Sequence, residues 1–482
     1  MHHHRAWLLS SMILLWAVPL LAQAPAPRKY TEKLLCPFPP EVHDSAVISP
    51  DGRRIAYVEQ VGKQQAVVVD GARETPYDRV EALTFSPNSQ WRAYAASAGG
   101  KWFIVINGKE QPSQLRVGPP IFSAHSKRLA YTALQPDGEH VAVMEAAQAP
   151  GKPYERTFAG RLLFSPDSQR LAYGARRGDK WYLVVDGQEM GPYDFLGSTT
   201  GISFSPRGTH VAFAAMLGGR LETTPLSRDG RGAGGKGWCA VLDGKPQKLY
   251  DNIGQLAFSP DGRRVAYAAL SGKQWRVVVD GKQHKPYDAI GEDSLQFGPG
   301  SATLAYAARS AGKWLVVAGG EEGRPYDGIG QMLFSPNSRL LAYVARVAGS
   351  EMVVLNTRAQ KVFDRIGGGT LCFSADSARL GYIARIGRQS HVVIDGKLLG
   401  EQGKSRYDMV AYLTFTPDGK QFVYAATAGK TAFTVLGDRE AAHRYDAIWT
   451  VPEARFVFDG PKAFHYLGLK QGNVYLVQEE IE

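Results

Sequence analysis

Eight aspartates at equivalent positions are the residues of this sequence whose type and spacing most readily suggest chemistry. Each directly follows an aromatic residue, and a ring of such carboxylates would bind cations. However, an aspartate beside a turn commonly accepts backbone N–H bonds, and a residue that recurs in nearly every repeat usually serves the repeat. We therefore predict a structural role for these aspartates. The aromatic residues that precede them are Tyr77, Tyr193, Tyr250, Tyr287, Tyr326, Phe363, Tyr407 and Tyr445.

The common catalytic and metal-binding motifs are absent from the sequence. It contains no G-x-S-x-G, H-E-x-x-H, C-x-x-C or phosphate loop, so no catalytic residue, metal or cofactor is predicted. The cysteines Cys36, Cys239 and Cys372 form no disulfide framework and lack metal-ligand spacing. The histidines occupy differing positions in their repeats, which favours isolated surface or turn residues. They are His43, His125, His140, His210, His284, His391, His443 and His465.

An insertion in the fifth repeat is the stretch most able to bind a partner. It runs from Leu217 to Gly237 between two strands that other repeats join by a short turn. Long loops in compact domains are usually functional or disordered. We predict a binding site here, and a solvated insertion without a role is the alternative. The candidate binding residues are Thr223, Thr224, Ser227, Arg228, Asp229 and Arg231.

The net charge of +10 and the isoelectric point near 9.3 raise the question of a polyanionic partner. Much of the positive charge lies in two sets of turn residues, for example Arg263-Arg264 and Lys273. If connections alternate between the ends of the strands, these sets lie on opposite faces. The charge is then spread out, and it lacks the interleaved aromatic residues of a nucleic-acid groove. We expect solvated turns and no nucleic-acid partner.

The element that positions all these residues is a unit of four short strands, clearest from Gly254 to Gly291. Its first turn is SPDG, where Pro presets φ and Gly tolerates unusual backbone angles. Its last turn is Asp280-Gly281, a strong signal for a type I′ hairpin in which both residues have positive φ. The second strand carries a bulky, a small and an aromatic residue in succession, Val265-Ala266-Tyr267. One face of the strand is therefore bulky and the other nearly bare.

The unit recurs along nearly the whole chain with a period near 40 residues, which is typical of β-propeller blades. Its first-strand motif, FSPDG or a variant, begins at ten positions: Ile48, Phe85, Phe122, Phe164, Phe204, Phe258, Phe297, Phe334, Phe373 and Phe415. Stacked blades bury both faces of each sheet. We therefore expect the bulky face of one blade to fill the space that the alanines leave on the next.

The order FSPDG, Ala-aromatic pair, VVVDG resembles the TolB-like, WD-repeat-like β-propeller repeats of bacterial secreted proteins. The resemblance covers roughly residues 46 to 480. It implies an all-β propeller of four-stranded antiparallel blades. It implies no particular function, because that family includes binding modules, scaffolds and accessory domains of enzymes.

The sequence contains ten full units and an incomplete eleventh of three strands. Typical propellers have four to eight blades, so eleven units favour two rings. The predicted division places units 1–5 in residues 46–254 and units 6–11 in residues 255–482. The even spacing, without a linker, favours one large ring. An open sheet edge exposes unpaired N–H and C=O groups. We therefore predict that the segment from Cys36 to Ser45, in a Pro-rich lead-in at 25–45, supplies the missing strand.

The first 24 residues are typical of a signal peptide. Arg5 precedes an apolar run from Ala6 to Leu21, and the small-residue pattern Ala22-Gln23-Ala24 follows. The run is short for a membrane span, so an uncleaved anchor is the less favoured alternative. We expect a periplasmic or secreted protein.

Together these patterns predict an exported, non-enzymatic β-propeller that binds or assembles a protein, peptide or glycan of the cell envelope. No cofactor, nucleic acid or stable membrane span is expected. The alternative is a propeller enzyme, a glycan lyase or hydrolase, with its site in the central cavity. A metal held near the axis by histidines of several blades would favour the enzyme.

The signal peptide makes the first testable prediction. Because the small-residue pattern marks the cleavage region, the mature protein should begin between Gln23 and Pro27. N-terminal sequencing of protein recovered from the periplasm or medium measures this start. Exported material that retains Met1 or Arg5 would rule out cleavage.

Overall fold

The computed structural model describes residues 28–144, 152–157, 162–197, 201–218, 237–400, 407–451 and 455–481. Within these ranges the protein is all-β, with one short 3-10 helix, η1 (Pro40–Ser45). The strands form eleven antiparallel sheets, one for each predicted unit. The four strand positions of a sheet, in order from the first strand of the unit, are called A, B, C and D. Among the described residues, no helix is long and apolar enough to cross a membrane.

The strands of the first six blades follow the repeat closely. A strand β1 (Tyr30–Pro37) precedes blade 1. Blade 1 comprises β2 (Val47–Ile48), β3 (Ile55–Val61), β4 (Gln64–Val69) and β5 (Ala72–Arg73); blade 2 comprises β6 (Arg79–Phe85), β7 (Arg92–Ala98), β8 (Lys101–Ile106) and β9 (Lys109–Glu110); blade 3 comprises β10 (Arg116–Val117), β11 (Ile121–Phe122), β12 (Leu129–Gln135) and β13 (Gly138–Met144). Blade 4 comprises β14 (Arg156–Thr157), β15 (Leu163–Phe164), β16 (Leu171–Arg177), β17 (Lys180–Val185) and β18 (Gln188–Tyr193); blade 5 comprises β19 (Phe195–Leu196), β20 (Ile202–Phe204), β21 (Val211–Leu217), β22 (Gly237–Leu242) and β23 (Lys245–Pro246); blade 6 comprises β24 (Asn252–Phe258), β25 (Val265–Ser271), β26 (Gln274–Val279) and β27 (Lys282–Tyr287).

The remaining five blades repeat the same order. Blade 7 comprises β28 (Ala289–Ile290), β29 (Gln296–Phe297), β30 (Leu304–Ser310), β31 (Lys313–Ala318) and β32 (Glu321–Glu322); blade 8 comprises β33 (Gly328–Phe334), β34 (Leu341–Val347), β35 (Ser350–Leu355) and β36 (Arg358–Phe363); blade 9 comprises β37 (Arg365–Ile366), β38 (Cys372–Phe373), β39 (Leu380–Ile386), β40 (Gln389–Ile394) and β41 (Lys397–Leu398). Blade 10 comprises β42 (Met409–Phe415), β43 (Phe422–Ala428), β44 (Thr431–Leu436) and β45 (Arg439–Glu440); blade 11 comprises β46 (Ala447–Trp449), β47 (Val457–Phe458), β48 (Ala463–Lys470) and β49 (Asn473–Glu480). Where a blade has two short pieces before its B strand, both pair with that strand and together fill position A.

The C–D hairpin turns adopt the predicted backbone. Asp280 and Gly281 have φ angles of 49° and 79°, as a type I′ turn requires. The aspartate also holds the A–B turn of its own blade, because its carboxylate accepts the N–H of Val265 at 2.9 Å and pairs with Arg264. An aspartate or asparagine makes the same contact to the first B-strand N–H in six other blades, so seven sheets are locked at the end where their two tight turns meet.

The A–B turns link neighbouring blades, and this explains why their last residue is Gly in some units and Ser in others. This position has positive φ, for example 74° at Gly262 and 63° at Ser89. The Ser89 hydroxyl accepts the backbone N–H of Asp51 in the preceding blade at 2.9 Å. Its hydrogen bond to the neighbouring blade offsets the cost of a left-handed serine.

The blades pack as the alternation of bulky and bare faces predicts. Between blades 5 and 6, Tyr267 packs in one cluster with Ala212 and Ala214 of the preceding blade. Between blades 6 and 7, Tyr306 packs in the same way with Ala266. Each buried large apolar side chain contributes about 1.5–3 kcal/mol. This contribution recurs at the joints between successive blades.

Eleven such clusters join each blade to the next in sequence, and the last joins blade 11 to blade 1. One of these clusters joins blade 5 to blade 6, across the division that was predicted near Gln255. Gln255 lies within β24, which packs against blade 5 through Ile253 and Leu256. The number of units favoured two rings, but these interfaces form one closed succession.

Blade 11 receives its D strand from the beginning of the described chain. Strand β1 pairs antiparallel with β49, from Tyr30 opposite Glu479 to Pro37 opposite Asn473. Glu32 of β1 accepts a hydrogen bond from Tyr445 of blade 10, as Glu322 of β32 does from Tyr287 of blade 6. The imported strand thus repeats a contact that ordinary D strands make.

The prediction that Cys36–Ser45 closes the ring was therefore wrong in its bounds. Only Cys36 and Pro37 belong to the closing strand, and Pro40–Ser45 forms η1. Pro39 and Pro40 lack the N–H that a strand needs, and a proline fits the first turn of a helix. The segment still has a role, because Phe38 packs edge-on against Tyr57 of blade 1 at 5.5 Å between ring centroids.

Removal of β1 tests the closure. Deletion of residues 30–37 should lower the melting temperature markedly, because it exposes the edge of β49 and removes Cys36 from the buried cluster between blade 11 and blade 1. Differential scanning calorimetry measures the change. A synthetic peptide spanning residues 28–38 should restore part of the loss, and a scrambled peptide of the same composition should not. An unchanged melting temperature would show that the ring does not depend on this strand.

Candidate binding face

One face of the ring carries the B–C turns and the connections from each D strand to the next A strand, and we call it the BC face. The aspartates of the aromatic-Asp pairs lie here. The Asp78 carboxylate accepts the N–H of Gly99 in the B–C turn of the next blade at 2.9 Å, and Asp408 accepts that of Gly429 at 2.8 Å. Asp327 accepts the N–H of Ala348 and bonds to Lys313, and these hydrogen bonds, that of Lys313 foremost, lower its pKa. Seven of the eight aspartates, all except Asp288, hydrogen-bond through the carboxylate to a backbone N–H of a B–C turn or to a lysine, so the predicted structural role is confirmed for these seven.

The insertion in blade 5 also belongs to the BC face. Leu217 and Gly237 pair directly at the end of the β21–β22 hairpin, so the insertion extends a B–C turn as expected. The six candidate residues Thr223, Thr224, Ser227, Arg228, Asp229 and Arg231 lie outside the described residues. Their role as a binding site stays a prediction.

The histidines are dispersed, as their positions in the sequence indicated, but the prediction of surface or turn residues was wrong for four of them, since His140, His391, His443 and His465 are buried. His210 pairs with Asp243 on the face opposite the BC face, and His140 pairs with Asp137 at a B–C turn. His465 bonds to Asp459 in blade 11. Across the described ranges, no group of three or more His, Cys, Asp or Glu side chains could hold a metal ion. The arrangement that would favour the enzyme alternative is therefore not observed among these residues.

Two A strands are interrupted by the same short turn, which the sequence reading missed. In blade 7 the turn is Gly291–Ser294, and in blade 9 it is Gly367–Thr370. The hydroxyl of its last residue donates to the carbonyl of its first, at 2.7 Å for Ser294 and 2.8 Å for Thr370. The same hydroxyl accepts a backbone N–H from the B strand, that of Ala307 or Ile383. The two turns are thus one scaffold with different residues in the middle.

A glutamine from the preceding blade holds each interrupted strand. Gln255 donates to the carbonyl of Leu295 at 3.0 Å and accepts its N–H at 2.8 Å. Gln331 accepts the N–H of Leu371 at 3.1 Å. Both glutamines lie in a β-bulge of a continuous A strand. The glutamine side chains thus bond to the backbone directly after each turn and hold the interrupted strands to the preceding blade.

Each of these turns forms one wall of a cavity at the inner edge of the ring, beside the A strand of the following blade. The cavity between blades 7 and 8 has a volume of about 720 Å³, and we call it the acidic cavity. Its lining, as far as the described residues form it, includes Glu292 and Asp293 from the turn, Trp314 and Met332, and no Lys or Arg.

The cavity between blades 9 and 10 has a volume of about 440 Å³, and we call it the basic cavity. Among the described residues, its lining includes Gly368 and Gly369 from the turn and the three arginines Arg365, Arg385 and Arg455, and it includes no Asp or Glu. The repeat therefore presents two cavities of opposite charge at equivalent places two blades apart. Both open beside B–C turns, on the face that carries the insertion.

A buried charged cluster lies at the joint between blades 10 and 11. The Glu479 carboxylate, fully buried, pairs with Arg28 at 3.2 Å and bonds to His443 at 3.0 Å and Tyr466 at 2.7 Å. Arg28 also donates to the carbonyl and hydroxyl of Thr434, both at 2.9 Å. This cluster fixes the beginning of the described chain to blade 10, so its role is closure rather than binding.

The surroundings of Glu479 keep it ionised. Burial by itself raises the pKa of a carboxyl group, but the hydrogen bond from His443 and the positive charge of Arg28 together outweigh burial here. The pKa of Glu479 is lowered from its ordinary value of 4.5. The residue therefore stabilises the fold as a carboxylate.

Some of these features left a signal in the sequence. The turns appear as Gly291-Glu-Asp-Ser-Leu and Gly367-Gly-Gly-Thr-Leu, each one unit after an Ile-Gly-Gln sequence that ends in Gln255 or Gln331. This alternation between successive units would have located both cavities. Arg455 left no such signal, because it reaches the basic cavity from blade 11.

The comparisons with known proteins found similarity to solved structures only. No protein-family model and no curated protein sequence matches the chain. The chain is similar to a solved eukaryotic initiation factor, at 12% identity and a TM-score of 0.37 over 84% of this chain and 88% of that chain. It is similar to TolB from Acinetobacter baumannii, at 17% identity and a TM-score of 0.24 over 49% of this chain and 64% of that one. It is also similar to the β-propeller domain of the Trilobed protease from Pyrococcus furiosus, at 13% identity and a TM-score of 0.29 over 58% and 97%. That the protein is a β-propeller follows from its own blades.

The buried cluster makes a quantitative prediction. Glu479→Gln should destabilise the protein by about 3–5 kcal/mol at pH 7, because it leaves the buried charge of Arg28 without its partner. The control Glu81→Gln removes an ion pair with Arg79 that is partly exposed to solvent, and it should cost about 1 kcal/mol or less. The midpoint of urea unfolding measures both.

The effect of Glu479→Gln should depend on pH in one direction. Because the pKa of Glu479 is lower in the folded state, its stabilisation is complete above pH 4.5 and is lost as the pH falls through the folded-state pKa. The difference between wild type and variant should stay constant from pH 7 to about pH 5 and shrink in stronger acid. A difference that is absent at pH 7 would contradict the assigned ion pair.

Proposed function

We propose that this protein is an exported, non-enzymatic binding or assembly module whose partner docks on the BC face. A single observation carries the proposal: equivalent turns in blades 7 and 9 bear opposite charges and line two cavities on this face. The residues that recur in most blades, such as the capping aspartates, hold the blades together. The residues that differ between otherwise identical turns are left for recognition.

The chemistry of the cavities fits a protein or peptide of the cell envelope better than a glycan. Opposite charges at two fixed sites give orientation and specificity to a chain that carries both signs. A neutral glycan would make no use of Glu292, Asp293 or the three arginines. The insertion at Leu217–Gly237 extends the same face, and we propose that Thr223, Thr224, Ser227, Arg228, Asp229 and Arg231 add contacts to the partner. Export rests on the signal-peptide pattern at residues 1–24.

Site-specific photocrosslinking in intact cells tests the proposed face. A photoreactive residue at Arg388, exposed in the B–C turn of blade 9, should give a discrete crosslinked product with an envelope protein. The matched control at Arg339, exposed in an A–B turn of blade 8 on the opposite face, should give none. Crosslinks from Arg339 alone would move the site to the other face. No discrete product from either position would contradict a protein partner.

The same assay tests the insertion. Replacement of residues 218–236 by the short turn Ser-Gly-Lys should leave the β-sheet circular dichroism spectrum intact and reduce the yield of crosslinks at Arg388. If the yield survives the replacement, the insertion is passive, and the cavities alone carry the site.

A further inference from the structure

We infer that the basic cavity is an oxyanion site that binds a carboxylate or phosphate group of a ligand. The inference deepens the proposed function and rests on it for the ligand's origin, but not for the binding itself. The observations that carry it are the three arginines, the backbone of the glycine turn and the absence of acidic residues from the lining.

The three arginines are not equally engaged. Arg365 pairs with Glu351 at 3.2 Å, and Arg385 donates through its Nε to the carbonyl of Gly387 at 3.1 Å. Arg455 makes no hydrogen bond or ion pair with any described residue. Its terminal nitrogens, and those of Arg385, therefore remain as donors. A guanidinium presents them in a planar fork that matches the two oxygens of a carboxylate or phosphate.

Arg455 belongs to blade 11, yet it lines a cavity between blades 9 and 10. Burial raises the pKa of the nearby Cys372 thiol to about 12. The positive charge of Arg455 acts in the opposite direction and lowers that pKa in part. The convergence of arginines from separate blades is therefore a feature of a site rather than of the repeat.

The glycine turn adds backbone donors. The N–H of Gly367 donates to the carbonyl of Ile383, whereas the N–H groups of Gly368 and Gly369 donate to no described residue. Gly369 has a φ of 73°, and left-handed residues in short turns help to direct successive N–H groups toward an anion. A Cβ at either glycine would meet no atom within 4 Å, so the turn borders open space.

The equivalent turn of blade 7 shows that the glycines are not required by the backbone. Asp293 occupies the place of Gly369 with a φ of 53°, and Glu292 occupies that of Gly368. The scaffold therefore tolerates acidic side chains at both positions. The two glycines leave the basic cavity open and keep negative charge out of it.

Isothermal titration of the full chain in a low-salt chloride buffer tests the site. The probes are inorganic phosphate and N-acetyl-diglycine, a model of a peptide carboxyl terminus, with glycinamide as the cationic control. We expect the wild type to bind at least one of the two anions at millimolar concentration or below and not to bind glycinamide. Binding of phosphate alone, of N-acetyl-diglycine alone or of both would each support the site. The result also shows whether the site accepts a phosphate, a carboxylate or both.

The variants assign the binding to the basic cavity. Arg455→Met should weaken binding about tenfold or more, since it removes a charge-assisted contact and keeps the aliphatic stem. The control Arg309→Met removes an exposed arginine at the end of the B strand of blade 7 and should change binding less than twofold. The double change Gly368→Glu with Gly369→Asp copies the blade 7 turn and should abolish binding. The double change Glu292→Gly with Asp293→Gly alters the acidic cavity and should leave binding within twofold.

Two results would overturn the inference: no binding of either anion by the wild type, or equal binding by the wild type and Arg455→Met. Circular dichroism and the melting temperature verify that each variant is folded. Because the titration uses purified protein and small probes, its failure is separate from that of the proposed function. Crosslinking at Arg388 without anion binding would remove the oxyanion site and leave the binding face. Anion binding without crosslinking would remove the protein-binding face and leave the oxyanion site.

Discussion

The pairing of β1 with β49 is the interaction on which the rest of the structure depends. Each blade has two apolar faces and needs a neighbour on both sides, so an open succession of blades would leave one face bare at each end. The residues that complete the circle lie far apart in the chain and meet at blade 11. There Phe38 packs on Tyr57 of blade 1, and Arg28 pairs with Glu479. Packing within the ring is local in sequence, and closure is the one long-range step.

The repeat divides its residues between two tasks. Positions that recur, such as the C–D turn aspartate Asp280 and the BC-face aspartate Asp78, hold turns and blades together by bonds to backbone N–H groups. Positions that vary within a fixed backbone are available for recognition. The turns of blades 7 and 9 show this separation directly, because Glu292-Asp293 and Gly368-Gly369 occupy the same scaffold and give cavities of opposite charge. A large ring can thus carry several different sites without a change of fold.

Much of this fold could be predicted from the sequence, because the repeat signals are local. The positive φ of Asp280 and the packing of Tyr267 over the alanines of blade 5 follow from turn chemistry and strand alternation. The closing strand was placed too late in the chain because most of β1 is exposed, so its side chains carry little apolar pattern. The basic cavity could not be predicted either, since Arg455 joins Arg365 and Arg385 only through the curvature of the ring. Local patterns identify blades, and contacts between blades decide the sites.

Closure of the eleven blades into one ring is tested most directly by counting the blades of one molecule by electron cryomicroscopy. Class averages viewed along the ring axis should show a single ring of eleven blades, with no gap between the eleventh and the first. Two smaller rings joined near Gln255, or a ring open beside blade 11, would contradict the closed succession of interfaces on which the structure rests.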